Sequence, residues 1–146
     1  MIDQFKKEYY WLSNFWKSNV AFEGMLYPSV EHAFQAAKTL STADRNEIRT
    51  ADSPAMAKHV GKCIVLREDW EDVKLEIMEQ LLVSKFENEW LRNKLLATGD
   101  QELIEGNYWH DTFWGVDKKT KEGLNHLGKL LMKLRKHLNT ARIAAI

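Results

Sequence analysis

Tyr27-Pro28-Ser29-Val30-Glu31-His32-Ala33-Phe34-Gln35-Ala36-Ala37-Lys38 reads as a capped helix with an unusual polar side. Pro28 ends an extended approach, Ser29 is a good N-cap, and Glu31 falls in the first turn, where the helix dipole favours negative charge. Ala36, Ala37 and Leu40 carry the helix to about residue 40. At about 100° per residue, Glu31, Gln35 and Lys38 share one side, beside an apolar stripe of Val30, Phe34 and Ala37. A carboxylate, an amide and an amine therefore line up over two turns. The plainest reading is an amphipathic helix whose Glu and Lys are solvated.

Working outward, residues 19–23 read as a strand with Val20 and Phe22 on one face, ending at Gly24, and residues 25–27 as its hairpin mate. Before them, Ser13-Asn14 reads as a turn. After the helix, Ser41 or Thr42 caps a short helix over 44–50, and Asp52-Ser53-Pro54 starts another that ends at Gly61. Residues 64–66 are too short a run to assign. Glu68 or Asp69 opens a long amphipathic helix with Val73, Ile77, Leu81 and then Phe86 inward, and a further helix over 89–98 is stopped by Gly99. Residues 103–106 and 113–116 read as extended. The last helix, about 123–142, carries Leu124, Leu127, Leu131, Leu134 and Leu138 at helical spacing, with Lys129, Lys133, Arg135 and Lys136 as a solvated basic face. The class expected is mainly α (α+β): a single compact helical domain over residues 1–146, with a few short β-strands.

Length and composition agree with that class. The chain has 146 residues, 45% hydrophobic and 29% charged, with no formal net charge, so bulk electrostatics draws it to neither nucleic acid nor membrane. Six Trp, six Phe and four Tyr are the outlier, several in polar company such as Tyr9-Tyr10-Trp11 and Tyr108-Trp109-His110. Rings in such settings suit planar or sugar ligands, although a small domain also fills space with Trp. Cys63 is the one cysteine, which excludes an internal disulfide and a cysteine metal cluster; it reads as a buried or neutral thiol. No signal peptide and no apolar run of membrane length is visible, so a soluble, cytoplasmic protein with no membrane partner is expected.

The phosphate loops, dinucleotide fingerprints, zinc-protease and serine-hydrolase motifs are all missing, and the five His are scattered singly. No metal and no cofactor is expected. Carboxylates and aromatics remain. A pair such as Glu31 and Asp111, brought together by folding, suits glycosidic chemistry, one handling water or the leaving group and the other an oxocarbenium-like carbon. Trp70 or Trp114 could stack on base or sugar, and a desolvated Lys38 amine could form a Schiff base at a sugar C1. Each has a plain alternative. Asp111, before Thr112, suits a loop-ordering Asx hydrogen bond. Trp70 at a helix start suits a core anchor. Asn125 and Gly128 suit close packing, with Asn125 a buried hydrogen-bond partner.

Several blocks taken together resemble the NADAR superfamily of YbiA-like N-glycosidases. They are Trp11-Leu12-Ser13-Asn14-Phe15, the stretch 27–38, Ser53-Pro54, Arg67-Glu68-Asp69-Trp70, Lys85-Phe86, Asp111-Thr112-Phe113-Trp114-Gly115, and the run from Gly123 through Asn125 and Gly128 to Met132. Their order and spacing agree with the family over nearly the whole chain. The resemblance implies hydrolysis of an N-glycosidic bond to ribose without a cofactor. Two substrates are implied: phosphorylated ribosylamino-pyrimidine intermediates of riboflavin synthesis, or ADP-ribosylated guanine in nucleic acid. It matches Glu31, Lys38 and Asp111 to catalytic positions, Lys38 as the Schiff-base lysine, and Trp70 to the active-site tryptophan. Ser13, Asn14, Phe15, His32, Gln35, Trp114, Gly115 and Asn125 are implied to line the pocket. Lys118, Lys119 and Lys121 stand where relatives often carry glycines, which bears on substrate choice. A non-catalytic module that binds ADP-ribose or a nucleotide, and a plain helical interaction protein, are the competing readings.

Overall fold

The Ser29 cap forms as its side chain dictates, with Oγ accepting from the His32 backbone N–H at 3.1 Å. From it α1 runs Val30–Ala37 in a computed structural model that describes residues 1–146. Upstream, β1 (Val20–Phe22) and β2 (Met25–Tyr27) pair antiparallel, with Phe22 opposite Met25. Their two-residue turn, Glu23-Gly24, has φ of 46° and 81°, the doubly left-handed geometry that matches hairpin twist. Gly24 takes this freely; Glu23 does so at some cost.

Downstream come α2 (Thr42–Arg49), α3 (Pro54–Gly61) and α4 (Trp70–Lys85). The serine signals hold: Ser41 Oγ accepts from Asp44 N–H and Ser53 Oγ from Met56 N–H. Arg67 forks onto both oxygens of Asp69 at 2.6 and 3.1 Å, just before α4 begins. The remaining elements are α5 (Glu89–Ala97), β3 (Gly106–Asn107), β4 (Val116–Asp117) and α6 (His126–Ala144). A six-residue 3-10 helix, Lys7–Leu12, precedes them all. The architecture is mainly helical with a few short strands, and no helix is long and apolar enough to cross a membrane.

The chain divides into two compact units. One is Asn14–Lys85, where every residue of α1 is buried and Ile48, Ala57, Met78 and Leu81 complete the core. The other joins Met1–Ser13 to Phe86–Ile146, with Trp11, Leu12, Leu91, Leu95, Leu103 and Leu131 at its centre.

Several expectations are corrected. The extended segments pair only as two-residue parallel strands, Gly106 opposite Val116 and Asn107 opposite Asp117, while Leu103 bridges to Ile2. The carbonyls of 112–115 are taken elsewhere. They accept from the N–H groups of Leu124, Asn125, His126 and Leu127, and so satisfy the orphan donors where α6 begins. That helix therefore starts at His126, not 123, because Gly123 (φ 152°) and Asn125 (φ 53°) are bent away from helical geometry. Leu124 is consequently exposed and leaves the leucine stripe. Arg135 is no part of a solvated face: it is buried and donates to Thr98 Oγ1 at 2.9 Å. Val73 is only half-buried, whereas Met78 and Leu82 are buried. Cys63 is exposed, one residue past the C-cap of α3.

Candidate active site

The polar side of α1 is not solvated. Glu31 is 7% exposed and Gln35 4%, and Gln35 Nε2 donates to Glu31 Oε1 at 2.8 Å. Burying a carboxylate is costly unless charge or hydrogen bonds compensate it, so a buried Glu at this position calls for a reason beyond helix formation. The Glu31 backbone N–H donates to the Asn14 carbonyl at 3.0 Å, which ties the 13–16 turn to the first turn of α1. Asn14 Nδ2 lies 3.7 Å from Met78 Sδ, a weak bond. Two buried acceptors have no hydrogen-bond partner, Asn14 Oδ1 and Gln35 Oε1. Both belong to residues that bond directly to Glu31, one through its carbonyl and one through its amide. Orphaned acceptors of this kind cost about 1–3 kcal/mol each and concentrate where a site is built for something other than stability.

Lys38, the C-cap residue of α1, completes the row. Burial pushes its amine below the usual lysine range, the Glu31 carboxylate opposes this, and Lys58 and Lys62 reinforce it. Its Nζ stands 6.0 Å from the Phe34 ring centroid, and Phe34 in turn packs on Trp70 at 5.0 Å with the planes tilted by 56°. Trp70 is buried, as a core anchor would be, and with Phe34 it forms the aromatic wall on this side of the helix. His32 is committed to the fold. Its Nε2 lies 3.0 Å from the Ala51 carbonyl, which can only accept, and its Nδ1 lies 2.7 Å from Ser29 Oγ. Phe15 is half-buried in the turn. Glu31, Gln35, Lys38, Asn14 and Trp70 thus form one constellation within the unit Asn14–Lys85.

Asp111, Trp114, Gly115 and Asn125 belong to the other unit, as does Ser13, whose N–H bonds to the Tyr10 carbonyl. Asp111 makes the Asx bonds its neighbours suggest: Oδ1 accepts from Phe113 N–H at 3.1 Å and Trp114 N–H at 2.9 Å. Oδ2 lies outside that pair. Asn107, fully buried, clamps the same residue from behind, accepting from Asp111 N–H at 3.0 Å and donating to its carbonyl at 2.9 Å and to Glu105 Oε2 at 3.0 Å. Gly115 is required here, since a Cβ would stand 1.9 Å from Glu105 Oε2 and 2.1 Å from the Glu105 carbonyl oxygen. Asn125 is a buried hydrogen-bond partner: Oδ1 accepts from Glu105 N–H and Nδ2 donates to the Leu103 carbonyl, each at 3.0 Å. Trp114 meets Phe113 edge to face at 4.8 Å.

Sequence reasoning missed three groups. Asn107 carries no motif; only folding shows that it brackets Asp111. Asp117 is buried, and the His110 ring beside it, then the Lys119 N–H, hold its carboxyl below the usual range. Lys85 was recognised only as part of a block, yet it is fully buried and its amine is pushed down to about 7 by desolvation. No group of three or more His, Cys, Asp or Glu is placed to hold a metal ion.

A family model for the NADAR domain matches residues 2–139. This chain belongs to the NADAR family. It is similar to the N-glycosidase YbiA of Escherichia coli, 41% identical over 129 residues that cover 86% of this chain and 79% of that one. An N-glycosidase of Nostoc punctiforme is 38% identical over 132 residues, covering 86% of this chain and 83% of the relative. A riboflavin biosynthesis protein of Vibrio vulnificus is 35% identical over 130 residues, which cover 87% of this chain and 35% of that longer protein. The NMR structure of E. coli YbiA superposes with a TM-score of 0.84 at 36% identity, over 98% of this NADAR chain and 89% of the other.

Proposed function

We propose that this NADAR chain is an N-glycosidase, a hydrolase that cleaves the bond between a ribose C1′ and the nitrogen of a nucleobase-like group. The observation that carries the reading is the buried Glu31 carboxylate, held by the Gln35 amide on the same helix face as Lys38, in a chain whose relatives are named N-glycosidases. The C1′–N bond breaks as a C1′–O bond to water forms. Glu31 takes the proton from that water and returns one to the leaving nitrogen. Gln35 orients the carboxylate, and Trp70 is proposed as the ring that stacks on the substrate. Water is the only other reactant, so no cofactor enters the proposal.

Asp111 is proposed as the second carboxylate of the reaction, steadying the sugar cation through Oδ2 while Oδ1 orders its own loop; the family resemblance and this division between its two oxygens support the assignment. Lys38 supports a second course. An amine lowered by burial has a larger neutral fraction, and a neutral amine can attack C1′ as the C1′–N bond to the base breaks and the base leaves with a proton from Glu31. Opening of the C1′–O4′ bond then gives a Schiff base that water hydrolyses, freeing the ribose and the lysine. Borohydride during turnover separates the two courses: a covalent ribosyl adduct on Lys38 establishes the amine route, and its absence with undiminished turnover establishes direct water attack.

Two substrates fit the chemistry, a phosphorylated ribosylamino-pyrimidine of riboflavin synthesis and ADP-ribosylated guanine in nucleic acid. The riboflavin biosynthesis name of the Vibrio vulnificus relative supports the first. Offering both and following base release by mass spectrometry tests the function. Release that disappears in Glu31→Gln confirms an N-glycosidase, whereas tight ligand binding with no base released from either substrate identifies a binding module instead. A cytoplasmic setting is part of the proposal, supported by an exposed, unpaired cysteine that suits a reducing compartment.

A further inference from the structure

The last turns of α1 and α3 bring together more positive charge than the fold uses. Gly61 of α3 lies directly on Gln35 of α1, where a Cβ would stand 2.1 Å from Gln35 Oε1. Lys58 precedes Gly61 by three residues, Lys62 follows it by one, and Lys38 follows Gln35 by three, so three amines gather around one helix–helix contact. Both Lys58 and Lys62 act on the Lys38 charge, and the sole acid acting on it is Glu31, which is already engaged by Gln35. Neither Lys58 nor Lys62 takes part in an ion pair or a side-chain hydrogen bond. The nearby Arg67 is committed to Asp69 and to the Ala37 carbonyl. Lys58 is half-buried and Lys62 exposed, so the cluster opens to solvent on one side.

A lysine at a helix C-terminus gains from the dipole, about 0.3–1 kcal/mol, and this accounts for any one of the three. It does not account for three converging from two helices where Glu31 is the one carboxylate acting on Lys38, since like charges repel. An anion resolves the repulsion, and lysine binds phosphate well as a mobile point charge. We propose that Lys58 and Lys62, beside Lys38, form the subsite that receives a phosphate ester carried by the substrate's ribose. This rests on the N-glycosidase reading and sharpens it, because it makes phosphorylation of the sugar the recognised feature and leaves the base a secondary one. A sugar monophosphate and the diphosphate of an ADP-ribosyl group present the same chemistry.

The test uses the Lys58→Ala/Lys62→Ala double variant, wild type and three ribosides: a phosphorylated ribosylamine, its dephosphorylated counterpart, and ADP-ribosylated guanosine. The double variant should lose at least about tenfold more kcat/KM on the phosphorylated ribosylamine than on the dephosphorylated one, mainly through KM, as the loss of charge-assisted bonds predicts. The larger loss between monophosphate and diphosphate substrates identifies the physiological source. Equal losses on phosphorylated and unphosphorylated ribosides overturn the subsite. A titration with inorganic phosphate and pyrophosphate, followed by calorimetry, stands apart from turnover. Weaker binding in the double variant supports the subsite even if no riboside is hydrolysed, an outcome that would defeat only the N-glycosidase reading. Equal binding, or none by wild type, overturns the subsite.

Discussion

Glu31 and Asp111 are carboxylates held in opposite ways. Asp111 sits on a loop, and its Oδ1 closes two backbone N–H groups that would otherwise want a partner. Glu31 sits on a helix whose backbone is already paired, and it accepts from a side chain, Gln35, which keeps a buried acceptor of its own unsatisfied. One carboxylate repays the fold for its position. The other brings a buried charge and an orphaned neighbour into a helix that a neutral residue would fill as well. Loop bonds therefore account for one oxygen of Asp111, whereas Glu31 is tied to the Gln35 side chain, and neutral isosteres separate the two cases.

The largest effect is expected from Glu31→Gln. It preserves shape and removes charge, so turnover should fall by about 10²–10⁴-fold, as the loss of a general base requires, while thermal unfolding stays near wild type. Unchanged rates with altered melting would make Glu31 a structural residue and erase the contrast. Gly61→Ala comes next. The added Cβ meets Gln35 Oε1 at 2.1 Å, and overpacking should cost about 1–3 kcal/mol by urea denaturation and lower turnover by displacing the group that orients Glu31. Stability lost without any change in rate would remove Gln35 from the reaction. Asp111→Ala should destabilise by about 1–2 kcal/mol through the lost loop bonds, and Asp111→Asn, which keeps an acceptor for both N–H groups, by much less. If Asn is as unstable as Ala, the loop needs the charge itself. Turnover of the Asn variant then reads the part of Asp111 that the loop does not use.

The last expectation concerns Lys85. Its amine titrates at about 7 when folded and near 10.5 when unfolded. Between those values the unfolded chain binds the extra proton, so stability should rise with pH across that window and be least below pH 7, where the buried amine must carry charge. Lys85→Met should flatten the rise when unfolding midpoints are compared from pH 7 to 9.5. A parallel slope in wild type and variant would assign it to other groups.

Much of the unit Asn14–Lys85 was legible because its signals are local. Ser29, Ser41 and Ser53 each bond to an N–H three residues ahead, and Glu23-Gly24 closes a hairpin between adjacent strands. A chain read in order displays such pairs. The Glu31-Gln35-Lys38 row was visible by helical period, but its burial was not, since an amphipathic helix and one wrapped on all sides share the same spacing. The region 103–128 is opaque in sequence for the converse reason. Asn125 bonds to Leu103 and Glu105, twenty or more residues away, and the carbonyls of 112–115 serve the start of α6 in place of a strand partner. Arg135 looked solvated because nothing nearby in sequence reveals Thr98, 37 residues before it. Of the two readings of Cys63, a buried or a neutral thiol, the buried one follows from where free cysteines usually lie, yet it stands exposed just past the end of α3.

The pairing of Ile2 with Leu103 has a consequence for birth on the ribosome. The residues Asn14–Lys85 emerge as one uninterrupted run and can close their own core early. Ile2 and Phe5 are buried in the finished protein, yet the Ile2 N–H bonds to the Glu102 carbonyl and its carbonyl accepts from Ile104. At a synthesis rate of about 5–20 residues per second, that bridge waits roughly 5–20 s after Ile2 is made. For that interval Ile2 and Phe5 lack the cover that the later residues supply, a window in which a chaperone that grips short greasy segments would find them first.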